Sequence, residues 1–168
     1  MATTLHPDVL ALVEMQPIED LLLALVPPKL TGVSVQSLVF DRQSFPAVVV
    51  RANGDWGAWG GDERFIDSGQ VNVEVFCSGI DSDSDCALLS EAVRVVLRDS
   101  LNVTVPGIGH LTRVEMVSRP RRAPDWATAT GPVQYADLPT GVQRYESLYD
   151  VSIKRFKQPG CHVPRVLP

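Results

Sequence analysis

The most reactive side chains are the three cysteines, Cys77, Cys86 and Cys161, and the three histidines, His6, His110 and His162. Cys161-His162 together with His6 and His110 offers metal-ligand types. Two adjacent residues in a Pro/Gly-rich tail lack the spacing that closes a tetrahedral site, so no metal is expected. An odd cysteine count without a Cys-x-x-Cys step indicates neither a disulfide framework nor a zinc ribbon. Cys77 falls in a strand pattern and Cys86 near a helix start, where buried, inert thiols are expected. Asp81-Ser82-Asp83-Ser84-Asp85 would suit a cation, but it lacks the glycine at position 6 and glutamate at position 12 of a calcium loop. Those residues are expected to cap a helix instead.

No catalytic constellation emerges. The glycines at 54, 57, 60 and 61 resemble a phosphate loop only in composition; no Lys-Ser or Lys-Thr follows, and Trp56 and Trp59 occupy the segment. A hairpin tip whose aromatics pack on a neighbour fits better. The chain has no Gly-x-Ser-x-Gly elbow and no His-Glu-x-x-His motif. His110 has no evident carboxylate partner. Asn102-Val103-Thr104 matches a glycosylation sequon, but no basic region precedes an apolar stretch at the N-terminus, so no secretory signal is expected. Neither enzymatic activity nor a cofactor is expected.

The sharpest charged feature is Arg119-Pro120-Arg121-Arg122, with Arg113 upstream. It could contact phosphates, yet the domain around a nucleic-acid binder is usually basic, and here the isoelectric point is near 5.1. A solvated or subunit-contacting cluster fits better. Residues 119–139 show no sustained periodicity and contain four prolines, which reads as a long loop. Loops of that length are ordered by a partner, carry function, or fold back over their own core. Asp125, Trp126 and Tyr135, with Arg121 and Arg122, are of the types that anchor interfaces.

The elements positioning these residues form an α+β pattern. The chain has 168 residues, 45% apolar and 21% charged, which fits one ordinary domain with a self-sufficient core. No apolar run approaches the roughly 20 residues that span a bilayer, so no membrane partner is expected. Residues 8–26 read as helical with a restart at Pro17, ended by Pro27-Pro28. Strands are expected over 33–40, 45–51, 70–77, 110–118 and 142–156, and a helix over 86–100. On that helix Leu88, Leu89, Ala92, Val93 and Val96 share one arc, and Ser90, Glu91, Arg94 and Arg98 the other. The expected fold is a mostly antiparallel four- to five-stranded sheet with two main helices on one face. Residues 1–157 would form the domain and 158–168 a flexible tail.

The net charge of −5 divides unevenly. Residues 1–100 carry 6 basic against 15 acidic side chains, a net −9, and residues 101–168 carry 9 against 5, a net +4. Opposite-sign regions on different faces would favour head-to-tail self-association, which high salt would weaken.

Several segments carry a family resemblance. Pro46-Ala47-Val48-Val49-Val50-Arg51, the acidic lead into the helix, and Arg121-Arg122-Ala123-Pro124-Asp125-Trp126-Ala127-Thr128-Ala129-Thr130-Gly131-Pro132-Val133-Gln134-Tyr135 resemble tail terminator proteins of long-tailed (siphovirus-type) actinobacterial phages. So do Asp137-Leu138-Pro139 and Gly141-Val142-Gln143-Arg144-Tyr145-Glu146. The resemblance spans roughly residues 17–156 and is most specific over 119–146. It implies a small α+β virion protein that assembles as a ring, typically a hexamer, on the last ring of major tail protein. Such a ring stops tube polymerisation and offers the surface on which the head's neck proteins dock. It implies no cofactor or chemistry, assembly in the host cytoplasm, a final place at the head-proximal end of the tail, and room for non-specific contact with DNA in the lumen. Arg121, Arg122, Asp125, Trp126 and Tyr135 are the expected subunit or tube contacts, with Trp56 and Trp59 a second patch. A head-completion or stopper protein is the nearer alternative, and a small cytoplasmic enzyme or ligand-binding domain the farther one.

Overall fold

The computed structural model describes residues 18–37, 44–53, 66–123 and 141–155. The N-terminal part of the expected first helix and the expected tail 158–168 lie outside the described residues. Ile18–Leu25 forms helix α1, with Glu19 and Asp20 in its first turn, where carboxylates complement the exposed N–H groups. Ile18, Leu21, Leu22 and Leu25 point into the core. Pro27 cannot supply an N–H to continue the ladder, and the chain tightens into a single 3-10 turn, Pro27–Lys29.

Six strands follow: β1 (Ser34–Gln36), β2 (Ala47–Ala52), β3 (Ile66–Ser78), β4 (Thr104–Val105), β5 (Gly109–Arg122) and β6 (Val142–Arg155). They form one sheet in the order β1-β2-β3-β6-β5-β4. Every pairing is antiparallel except β1 with β2. The sheet therefore has one strand more than expected. The addition is β4, a two-residue strand paired with Gly109 and His110 across a tight turn where Gly107 takes φ +80°. The second helix, α2 (Ser82–Asp99), lies between β3 and β4 in sequence.

Alternation assigns the two faces of the sheet. Val71, Val73, Val75 and Cys77 of β3 join Tyr149, Val151 and Ile153 of β6 in one core with both helices. This is the helix-covered face. Ala47, Val49, Phe76 and Val142 form a smaller apolar cluster on the opposite face. Four consecutive buried residues in β2, Ala47 to Val50, reflect apolar contact on both faces. Past the end of β1, the outer edge of β2 is sealed by a side chain: the Ala52 amide donates to Glu19 Oε1 at 2.7 Å. Docking α1 thus satisfies a backbone group that an exposed edge would leave to water.

Three expectations need correction. Helix α2 begins at Ser82 rather than Cys86, and Asp81 stands at its N-cap without a side-chain capping bond. The acids act through Asp83 and Asp85 in the first turn instead. Its buried residues are Ser82, Cys86, Ser90, Val93, Val96 and Leu97, so Ser90 is inside while Leu88 is 72% exposed. Ser90 Oγ donates to the Cys86 carbonyl at 2.7 Å and Ser100 Oγ to that of Val96 at 2.7 Å. A serine satisfied by its own helix behaves as a small apolar residue and lets the helix approach the sheet closely. Finally, β5 runs to Arg122, so residues 119–122 are strand, not loop. Pro120 is tolerated because the ladder with β6 shifts between Ser118 and Arg121 and because, past Leu111, no described strand pairs with the outer side of β5.

Candidate interaction surface

The alternation that builds β5 also divides its basic cluster. Arg121 sits opposite Glu146 and Arg122 opposite Tyr145 in the β5–β6 register. Successive side chains of a strand point to opposite faces. Arg121 reaches the helix-free face, where its guanidinium pairs with Glu146 at 2.9 Å. Arg122 reaches the helix-covered side, donating to Gln143 Oε1 at 2.7 and 3.0 Å and lying 3.4 Å from Asp83 of α2. The two arginines, expected as one patch, therefore occupy two surfaces. Both stay largely exposed, at 70% and 59%.

Asp83 is the hub on the helix side. Its carboxylate also accepts from the Tyr145 hydroxyl at 3.2 Å. Burial, then the Asp83 charge, push the Tyr145 phenol above its ordinary value. This corner joins the first turn of α2 to the end of β5 and the start of β6. Residues 124–140 connect those two strands, so the corner marks where the segment with the most specific resemblance leaves the sheet. The remaining expected contacts, Asp125, Trp126, Tyr135, Trp56 and Trp59, lie outside the described residues.

On the helix-free face the charged row continues inward from Arg121 and Glu146. Arg144 Nη1 lies 3.2 Å from Glu74 Oε1, and these side chains are only 11% and 7% exposed. A paired, nearly dry carboxylate and guanidinium fix geometry strongly, since removing either partner strands a charge. Arg113 and Glu115 form a further ion pair along β5.

The structure also exposes apolar side chains, among them Leu88, which periodicity places in the core arc. Ile80 is fully exposed in the turn before α2, and Leu88 and Val95 follow on the outer side of that helix. Val117 is exposed on β5. Asp83, Glu74, Gln143, Tyr145 and Glu146 are not among the expected contacts, because the roles of the strand residues follow from register and that of Asp83 from where the helix meets the sheet. Among the described residues, no group of three or more His, Cys, Asp or Glu is arranged to hold a metal ion. Among the same residues, no helix is long and apolar enough to cross a membrane. The arrangement offers ion pairs, hydrogen-bond donors and apolar contacts, the means of recognition. The chain matches no known protein-family model and no curated protein sequence.

Proposed function

We propose that the protein is a structural virion component: a ring, expected to be a hexamer, that caps a phage tail tube, stops its polymerisation and presents a docking surface to the neck. Its partners on this reading are further copies of itself, the major tail protein and the head–tail connector proteins, with room for non-specific contact with DNA in the lumen. It acts at the head-proximal end of the tail after assembly in the host cytoplasm. The mechanism is geometric. A heterologous contact closes at a fixed subunit number, and one face of the ring matches the tube end while the other does not repeat that match.

The observation that carries the reading is the segment from Arg121 to Glu146, whose sequence resembles tail terminators. Its described ends project exposed arginines from both faces of the sheet at one corner. The uncovered apolar side chains Ile80, Leu88 and Val95 support it, since neighbouring copies would bury such surface.

Native mass measurement with and without uncapped tail tubes, followed by imaging, tests the proposal. The expected result is a six-fold ring at one tube end and tubes that no longer grow. Binding to the portal side of the neck instead would point to a stopper. A monomer that ignores tubes and takes a small ligand would overturn the assembly reading. Arg122→Ala and Trp126→Ala should each weaken ring formation on tubes, and unchanged assembly would remove those residues from the contact.

A further inference from the structure

We propose that Cys77 and Cys86 form a redox-sensitive pair, closed to an intramolecular disulfide by a peroxide. Both are free and buried. Cys77 is the penultimate residue of β3 and faces the helices; Cys86 sits in α2 directly above it. The Cys86 thiol donates to the Gln143 carbonyl at 3.3 Å and lies 3.6 Å from that of Val75. Gln143 is the cross-strand partner of Cys77, and Val75 is its neighbour on the same face. These contacts place the Cys86 sulfur against the Val75–Cys77 stretch of β3, on the face that carries the Cys77 side chain. Closing a disulfide then requires the two sulfurs to come to about 2 Å.

The chemistry divides unequally between the two sulfurs. The neighbouring Cys86 thiol holds that of Cys77 below its ordinary value. Cys77, then burial, pushes the Cys86 thiol up. Cys77, at the end of its strand and the slightly less buried of the two (3% against 0%), is the first nucleophile of the proposal. Its sulfur attacks one peroxide oxygen, the O–O bond breaks, and water leaves after protonation, giving a sulfenic acid. Cys86 then attacks that sulfur, the S–S bond forms, and a second water departs with the Cys86 proton. Two thiols are oxidised by two electrons, and one hydrogen peroxide is reduced to two waters. Cys77 and Cys86 are 3% and 0% exposed, so oxidation needs a local opening of the kind native proteins undergo, and the chain nearest to both is the turn between β3 and α2. The bond would pin the first turn of α2, which carries Asp83 and so holds Arg122 and Tyr145. This inference stands independently of the assembly reading.

The test treats the folded full-length chain with excess hydrogen peroxide, alkylates remaining thiols and maps peptides by mass. The expected result is a monomeric chain that has lost two hydrogens, a cross-linked Cys77–Cys86 peptide, an alkylated Cys161 and full reversal by dithiothreitol. Cys161→Ser should close the same bond, and its thermal midpoint should rise on oxidation. A cross-link to Cys161, sulfinic acid on Cys77 beside an alkylated Cys86, or both thiols intact would each overturn the proposal. Repeating the treatment in concentrated urea should abolish the preference for this pair; an equal yield there would show that the fold does not direct it.

Discussion

The roll of α2 about its axis can be tested with two leucines on the same helix. Leu97 is 1% exposed in the core, whereas Leu88 is 72% exposed. Truncating a fully buried leucine to alanine costs about 2.7–5 kcal/mol through lost transfer energy and the cavity left behind. Leu88 keeps under a third of its surface covered. If full burial is worth about 2 kcal/mol, the loss is near 0.6 kcal/mol, and the better helix propensity of alanine returns a few tenths. Leu88→Ala should therefore cost below ~0.5 kcal/mol. For a chain of this size 1 kcal/mol moves the melting midpoint by roughly 2–4 °C. Leu97→Ala should then melt about 5–20 °C lower and Leu88→Ala within about 2 °C of the parent. Urea titrations with matched slopes would give the same order. Ser90→Leu, at the buried position periodicity assigns to solvent, should cost about 1–3 kcal/mol by overpacking. Equal losses for the two leucine variants, or a tolerated Ser90→Leu, would refute the assignment of the buried face.

Three further outcomes follow from particular contacts. Glu74→Gln removes the carboxylate facing Arg144 in a nearly dry site, so urea unfolding should show a loss of about 3 kcal/mol or more, and Glu74→Gln/Arg144→Met a smaller one. Burial holds the Tyr149 phenol above its ordinary value of 10.0. A raised folded value contributes stability that is fully present below pH 10 and is lost as pH climbs through the folded value. Stability should thus fall above pH 10, and Tyr149→Phe should flatten that fall in thermal scans stepped across alkaline pH. Arg122→Ala breaks an ion pair and hydrogen bonds that are largely solvent-exposed, so its melting midpoint should stay close to that of the parent, with under ~1 kcal/mol lost. A large destabilisation would make Arg122 a structural residue and void its use as an assembly probe.

How much of this was legible in the sequence depends on how each element is buried. β3 and β6 have one face in the core and alternate cleanly, so Val71, Val73 and Val75, then Tyr149, Val151 and Ile153, announce themselves. β5 fades after Ser118 because its ladder with β6 slips repeatedly and its outer side lacks a described partner strand, so Pro120 looks like a loop residue. β4 is too short to show a period at all. The arc expected to face the core on α2 does so at Leu89, Ala92, Val93 and Val96; only Leu88 and Ser90 exchange sides, because hydropathy counts Ser90 as polar when its hydroxyl is spent on the Cys86 carbonyl. At the corner, residue types pointed to Arg121 and Arg122, but their separation onto two faces follows only once 119–122 is known to be strand. Their partners, Glu146, Gln143 and Asp83, depend on three register shifts that no local pattern encodes.

The uneven charge of the chain takes on a different meaning in three dimensions. The acidic residues 1–100 and the basic residues 101–168 do not simply face outward from separate sides. They meet inside the subunit, at Glu74–Arg144 and at Asp83–Arg122. Both pairs cross the sequence boundary between the two regions, and each spends an arginine that a head-to-tail contact would otherwise draw on. Glu74–Arg144 is sheltered from counterions, while Asp83–Arg122 is open to them. Raising salt therefore acts on the α2–β5 corner as well as on any contact between copies, and a salt-weakened ring alone cannot identify the charges involved. Asp83→Asn separates the two effects. It releases Arg122 from the helix but removes nothing from β5, so an intersubunit role for Arg122 predicts an assembly that is unchanged or strengthened. If Arg122 serves only to hold α2, Asp83→Asn and Arg122→Ala should behave alike.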